Sequence, residues 1–227
     1  MHFRFIYSLT AALIAIFSTP STTAAQTIRC WGVKLGITDA NQTISGNDFT
    51  LEYSSRIGLS AGIFAEWLNH PWISVNSEIC FSQKGHRLDI PITTAEFPDG
   101  TGEFTGESIG LNYISIALLP KARIAVGPIE LYALAGPRVD FAIGHTVTIE
   151  GREPIRSYLE AGWNSNLSHS RDAQIGGDFG VGCTSNALLP MILGAEVRYS
   201  PDFTPSSQFP NSSTTNHSWE FLLVVGF

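Results

Sequence analysis

Eight stretches of the chain alternate apolar and polar residues with a period of two, the pattern of a strand with one oily face and one mixed face. The last is the clearest: residues 219–227 read W-E-F-L-L-V-V-G-F. Trp219, Phe221, Leu223, Val225 and Phe227 share one face, and Glu220, Leu222, Val224 and Gly226 the other. The remaining strands are predicted at about 28–37, 56–68, 72–83, 112–123, 129–143, 172–183 and 188–199. In the second, Ile57, Leu59, Ala61, Ile63, Ala65 and Trp67 oppose Gly58, Ser60, Gly62, Phe64 and Glu66.

The connections alternate as strictly as the strands. Those after the first, third, fifth and seventh strands are long and polar, at 38–55, 84–111, 144–171 and 200–216. Those after the second, fourth and sixth are tight, at 69–71, 125–128 and 184–187. Short turns on one side and long loops on the other are the mark of a transmembrane barrel. A soluble domain carrying four structureless loops of that length would be unusual. Beyond residue 25 no apolar run approaches the ~18 residues that a membrane-crossing helix needs. The predicted fold class is therefore all-β: an eight-stranded antiparallel up-and-down transmembrane β-barrel, with both chain ends on the periplasmic side. Trp31, Trp67, Trp72, Trp163, Tyr199 and Trp219 fall at strand ends or in loops, and those at the ends suit interfacial aromatic girdles.

Residues 1–25 read as a cleavable signal peptide, with Arg4, an apolar core over 5–17 and small residues at Thr23-Ala24-Ala25. The barrel domain is then 26–227, and the expected address is the bacterial outer membrane. On this reading the partners are outer-membrane lipid and, during biogenesis, the barrel-assembly machinery, which would recognise Trp219, Phe221, Leu223, Val225 and Phe227. A monomer is expected. The chain carries 20 acidic against 13 basic residues. That balance argues against nucleic acid, whose phosphates are held by clustered Lys and Arg.

Cys30 and Cys183 map near the periplasmic rim on opposite faces, and Cys80 near the external rim. Cysteines so separated support neither a disulfide, whose α-carbons lie within ~7 Å, nor a zinc site. No metal and no cofactor is expected.

The inward faces carry a candidate charge network: Glu66, Glu78, Lys121, Arg123, Arg138, Asp140, Asp178, Glu196, Arg198 and Glu220, with Lys34 beside them. An eight-stranded barrel is only wide enough for its own side chains, and charges inside it must be paired or hydrated. Such a set either fills the lumen with salt bridges or lines a narrow ion or proton path. Catalysis would need a nucleophile beside a base. His86, His145, His169 and His217 map to external loops or their edges and His70 to a periplasmic turn; His169 with Ser168 or Ser170 is the one pair to consider. The run G-G-D-F-G-V-G at 176–182 superficially matches a phosphate-cradling loop, but no helix follows it. Glycine inside a strand more simply lets neighbours pack closely.

The strings SEICFSQKGHRLDI, LNYISIALLPKARI, IELYALAGPRVDF and ILGAEVRYSP resemble the PorT-like outer-membrane β-barrel family, small outer-membrane proteins of the Bacteroidetes type. In that family a strand ending in S-Q-K-G, a Y-I-x-I-P-L-like strand with a Lys and an A-G-P strand recur in this order. Here Ala117 and Pro120 depart from the I-P-L arrangement, and Ser115 stands where an acidic residue is common. The resemblance implies a barrel over residues 26–227 and no assigned reaction; the named member is similar to proteins linked to secretion of other proteins. The expected function is non-enzymatic: a barrel with a side-chain-filled lumen, acting as a structural or surface-interaction protein through its external loops. The alternatives are a component assisting protein secretion and a small-solute or ion pore.

Overall fold

The computed structural model describes residues 28–46, 50–68, 70–91, 104–150, 172–187, 191–209 and 212–227. They form ten strands and, among the described residues, no helix: β1 (Ile28–Gly46), β2 (Thr50–Glu52), β3 (Arg56–Trp67), β4 (Ile73–Pro91), β5 (Phe104–Val126), β6 (Ile129–Glu150), β7 (Ala173–Ser185), β8 (Ile192–Pro201), β9 (Ser207–Phe209) and β10 (Ser212–Gly226). Eight of them make the wall, in the order β1-β3-β4-β5-β6-β7-β8-β10, each antiparallel to its neighbours. β10 pairs back onto β1 from Gly32↔Gly226 to Gly46↔Ser212 and closes the ring. β2 and β9 are short additions that pair with the outer ends of β1 and β10.

Each strand presents its apolar row outward. Ile57, Leu59, Ile63, Val181 and Leu223 are 59–72 % exposed. In water that surface would be an aggregation liability, whereas a bilayer requires it. Trp31, Trp72 and Phe227 lie at the periplasmic ends of their strands, and the Trp31 and Phe227 rings pack with centroids 5.3 Å apart. Tyr199 and Trp219 pack likewise at the opposite edge, 5.0 Å apart. The terminal row of Trp219, Phe221, Leu223 and Phe227 is exposed, and Val225 half-buried. Trp163 and residues 1–27 lie outside the described residues.

The structure corrects the strand limits. β1, β4, β5, β6 and β10 run 15 to 23 residues, so much of the expected external loops is strand. The β4–β5 ladder continues to Pro91↔Phe104 and the β5–β6 ladder to Gly106↔Glu150. The reason is physical: the apolar–polar contrast exists only where the outward row meets lipid. Above that level the outward face is no longer a continuous apolar row, and the inward face mixes polar residues with the buried Ile109, Leu111 and Ile149, but the backbone hydrogen bonds continue. His86, His145 and His217 consequently sit within β4, β6 and β10 rather than in loops, while His169 and its serines fall outside the described residues. Cys80 lies in β4, paired with Gly62 and Ser115, one residue before Phe81. The three cysteines are free.

On the periplasmic side β5 and β6 are joined by Gly127-Pro128 alone. Gly127 has φ 61°, the positive angle that a two-residue hairpin demands at its first central position, and Pro128 suits the next.

Arginine at Ile116, exposed in the middle of β5, should destabilise the barrel by about 2–4 kcal/mol, and arginine at Leu59, exposed but only the fourth residue from the external end of β3, by less. Leu193 is the second residue of β8 and pairs with Ser185 and Val225 near the periplasmic edge, so Leu193→Arg should cost only ~0–1 kcal/mol. Urea titrations of the three variants in lipid vesicles check both the outward assignment and the depth ranking.

Candidate functional site

Charges cannot face lipid, so in a strand whose odd face is apolar every charged residue falls on the other face and points into the lumen. The structure places all ten expected network residues there, buried. It assembles them in three tiers.

The periplasmic tier centres on Glu66 of β3. Its carboxylate accepts from Lys121 Nζ at 2.9 Å, from Arg123 Nη1 at 2.7 Å and from Arg29. Arg29 also reaches Glu130 at 2.7 Å. In the middle tier Lys34 lies between Glu78 at 2.7 Å and Glu196 at 2.8 Å. Arg198 contacts Glu78 at 2.9 Å, Asp178 at 3.0 Å and Glu196. Tyr132 Oη donates to Glu196 at 2.8 Å. The ring gets there across Gly182, where a Cβ would stand 2.5 Å from Tyr132 Oη; this close packing is the role of the glycine run. In the upper tier Arg138 contacts Asp178 and Asp202 at 2.5 Å each and Asp140 at 2.9 Å. Lys84 contacts Asp140 at 2.5 Å and Asp202 at 3.0 Å. Asp178 joins the two upper tiers, bonding Arg138, Arg198 and the Ser200 hydroxyl. Glu220 is buried with them but lies within 4 Å of none of these cations.

Above the charges runs a chain of neutral side chains. His86 Nδ1–H donates to Gln42 Oε1 at 2.5 Å. Gln42 donates to Asn216 at 2.6 Å, Asn216 to Gln174 at 3.0 Å, and Gln174 to the Tyr113 hydroxyl at 2.8 Å. Tyr53 stacks on His86 with centroids 4.1 Å apart. His86 lies beyond the last lipid-facing residue of β4, Phe81, and burial lowers its pKa from 6.5 to about 4.

Arg29, Lys84, Asp202, Gln42 and Asn216 were not singled out from sequence. Lys84, Asp202, Gln42 and Asn216 lie in segments read as loops, although Ser82, Lys84 and His86 continue the inward parity of β4. Arg29 was hidden by parity, since it belongs to the outward-numbered row of β1 yet bends into the lumen mouth next to the register shift between Ile28 and Cys30.

Little space remains. A pocket of about 180 Å³ opens at the periplasmic mouth beside Arg29, Glu130 and the Gly127-Pro128 turn. Deeper in, beside Cys30, Phe64 and Tyr132, the void is about 20 Å³, room for roughly one water. Among the described residues the ion pairs hold the wall strands together through the lumen, and neither of these two voids reaches the Arg138, Asp140 and Asp178 tier.

Removing one member of such a network leaves its partners as uncompensated buried charges. Arg138→Gln should therefore lower unfolding free energy by about 3–5 kcal/mol, read from urea titrations of vesicle-inserted barrel. His86 has a depressed pKa in the folded state, so the unfolded chain binds the extra proton first as pH falls. Its stability contribution is complete above pH 6.5 and is lost between pH 6.5 and about 4. From pH 7.5 to 5 that loss should approach about 2 kcal/mol, and His86→Gln should flatten this part of the pH profile.

The sequence profile of the outer membrane protein beta-barrel domain matches residues 24–208. No curated protein matches the chain. Among solved structures, Ail of Yersinia pestis in complex with the heparin analogue sucrose octasulfate is 13 % identical with a TM-score of 0.37, covering 87 % of this chain and 98 % of that one. Neisserial surface protein A is 13 % identical with a TM-score of 0.42, covering 86 % and 97 %. The translocator domain of the autotransporter NalP from Neisseria meningitidis is 10 % identical with a TM-score of 0.30, covering 99 % and 95 %.

Proposed function

The chain belongs to the outer membrane protein beta-barrel domain family, and for this outer-membrane barrel we propose a non-enzymatic structural or surface-interaction role, exercised through the part that rises above the membrane. The observation that carries this reading is the contrast between a lumen plugged by three tiers of ion pairs and a wall that continues outward. After Phe81, the last lipid-facing apolar residue of β4, the β4–β5 ladder adds ten further residues to Pro91. Long ordered strands outside the bilayer contribute nothing to crossing it; they present surface. The partner is a protein at the external extension, and the barrel itself is a monomer in outer-membrane lipid.

The same reading includes delivery by a cleaved segment at 1–25 and recognition of Trp219, Phe221, Leu223, Val225 and Phe227 by the barrel-assembly machinery. The finer affinity is with PorT-like barrels, on the motifs quoted above, and a role in assisting protein secretion is the competing function. A solute pore is disfavoured by the packed lumen.

Two measurements separate these readings. Single-channel recording of the refolded barrel should show no large, steady ohmic openings; such openings would reject the plugged lumen. A photo-crosslinker at His145, exposed in the extension of β6, should capture a protein partner on intact cells. Capture only from the periplasmic turn at His70, with none at His145, would favour the secretion reading.

A further inference from the structure

The β3–β4 ladder loses its register near its external end. It stops at Ser60↔Ser82 and resumes as a single bridge at Ser54↔Arg87. Residues 55–59 then stand against 83–86, one residue more on the β3 side, which is a bulge, and a bulge re-aims the side chains around it. The change of parity shows in the contacts. Ser60 is buried in the lumen, so the even-numbered residues of β3 point inward up to the bulge. Beyond it the odd-numbered Tyr53 is the inward one, stacked on the buried His86, and even-numbered residues turn outward.

Arg56 is re-aimed in this way. A Cβ on Gly110 would stand 3.0 Å from Arg56 Nη2 and 3.3 Å from Nη1, and Gly110 belongs to the outward row of β5 with Asn112, Ile114 and Ile116. The guanidinium therefore lies on the outer wall, seated on the facing pair Gly85↔Gly110. Gly85 has φ 133°, which strains any residue with a Cβ. Toward the membrane the next outward pairs are Gln83↔Asn112 and then Phe81↔Ile114, the last apolar one. Arg56 thus sits just above the hydrocarbon, where lipid headgroups lie. Every cation of the lumen tiers meets at least one carboxylate. Among the described residues Arg56 meets none, and its Nη1 is closed off from water without a hydrogen-bond partner. Asp39 stands across Ile57 on β1, and its own Oδ1 is also without a partner.

We propose that Arg56 and Asn112 form a phosphate-binding site on the outer wall. A cation partly withdrawn from water is costly unless an anion meets it, and a guanidinium offers paired N–H donors that match phosphate oxygens. Asn112 supplies the second contact. Its carbonyl accepts from Gln83 Nε2 at 3.2 Å, and Gln83 Oε1 accepts the Leu59 N–H at 3.2 Å. Those bonds orient the amide and leave its Nδ2 donors for a ligand. Gly110 and Asn112 are about 7 Å apart along β5, a span that one phosphate group bridges between two donors. With apolar wall directly below, the phosphate of an external-leaflet lipid is the expected source, and free phosphate would offer the same chemistry.

The test uses the whole barrel refolded in dodecyl maltoside micelles, which carry no phosphate. Arginine side-chain nitrogen NMR signals are followed while phosphorylated lipid A, its dephosphorylated form or inorganic phosphate is added in separate titrations. The Arg56 signals, assigned by their loss in Arg56→Lys, should shift with the phosphorylated lipid and not with the dephosphorylated one. In native mass spectra Arg56→Gln should weaken binding of phosphorylated lipid A about ten-fold, and Asn112→Ala by less. Arg87→Gln removes an equal charge from an exposed position of β4 and should change binding by no more than about two-fold. If Arg56→Gln lacks heat-modifiable gel mobility, Gly110→Ala takes its place: it keeps the arginine, puts a Cβ into its seat and should weaken binding too. Shifts with lipid at concentrations where inorganic phosphate gives none assign the headgroup as the source; equal shifts with inorganic phosphate support the site and assign it to free phosphate. No response of Arg56 to either, equal binding of the dephosphorylated lipid, or equal losses in Arg56→Gln and Arg87→Gln overturns the proposal. None of these outcomes depends on the surface-interaction role, since the site requires only the folded barrel.

Discussion

Hydrocarbon offers no partner to a backbone N–H or C=O, so a strand that enters a bilayer must be paired on both edges. Everything else in this molecule follows from that constraint. The sheet has to close, and the pairing of β10 with β1 from Gly32↔Gly226 to Gly46↔Ser212 closes it. Once closed, eight strands enclose a space no wider than their own side chains. Period-two geometry then sends one row of each strand to lipid and the other into that narrow space.

The charges have no third option. Lys34, Arg138, Arg198 and their acidic partners go inward because the outward row is lipid, and they pair with one another because an isolated buried charge is prohibitively costly. The result is a lumen in which single carboxylates serve several cations: Glu66 takes Arg29, Lys121 and Arg123, and Asp178 takes Arg138 and Arg198. These contacts tie strands that are not neighbours in the wall, β1 to β4 and β8, and β4 to β6. The neutral chain from His86 to Tyr113 covers the tiers on the external side with partners that carry no charge at neutral pH.

The seam between β5 and β6 shows the same constraint relaxed locally. Between Ala117↔Arg138 and Lys121↔Leu134 the pairs are missing, and Pro120 and Pro137 remove two donors there. Leu119 and Leu134 on the lumen side of the gap are apolar, between the charged Lys121 and Arg138 that bound it. Where the ladder is weakest, the inside is oil facing oil.

Alternation alone determined the class of fold, the number of wall strands, the outward row and the inward set of charges, because lipid on one side and a polar lumen on the other stamp opposite chemistry on adjacent residues. Glu66, Arg138, Glu196 and Arg198 were legible as lumen residues for that reason. Which carboxylate meets which cation was not legible, since Lys34 reaches Glu196 over 162 positions of sequence through the stagger of a closed barrel. The strands beyond the membrane were equally hidden. Lys84, Asp202, Gln42 and Asn216 look like loop residues because no lipid polarises their outward neighbours, and only the ladder itself reveals them as wall. Register, closure and the three tiers are decided by tertiary structure, where backbone pairing sets positions that local composition does not encode.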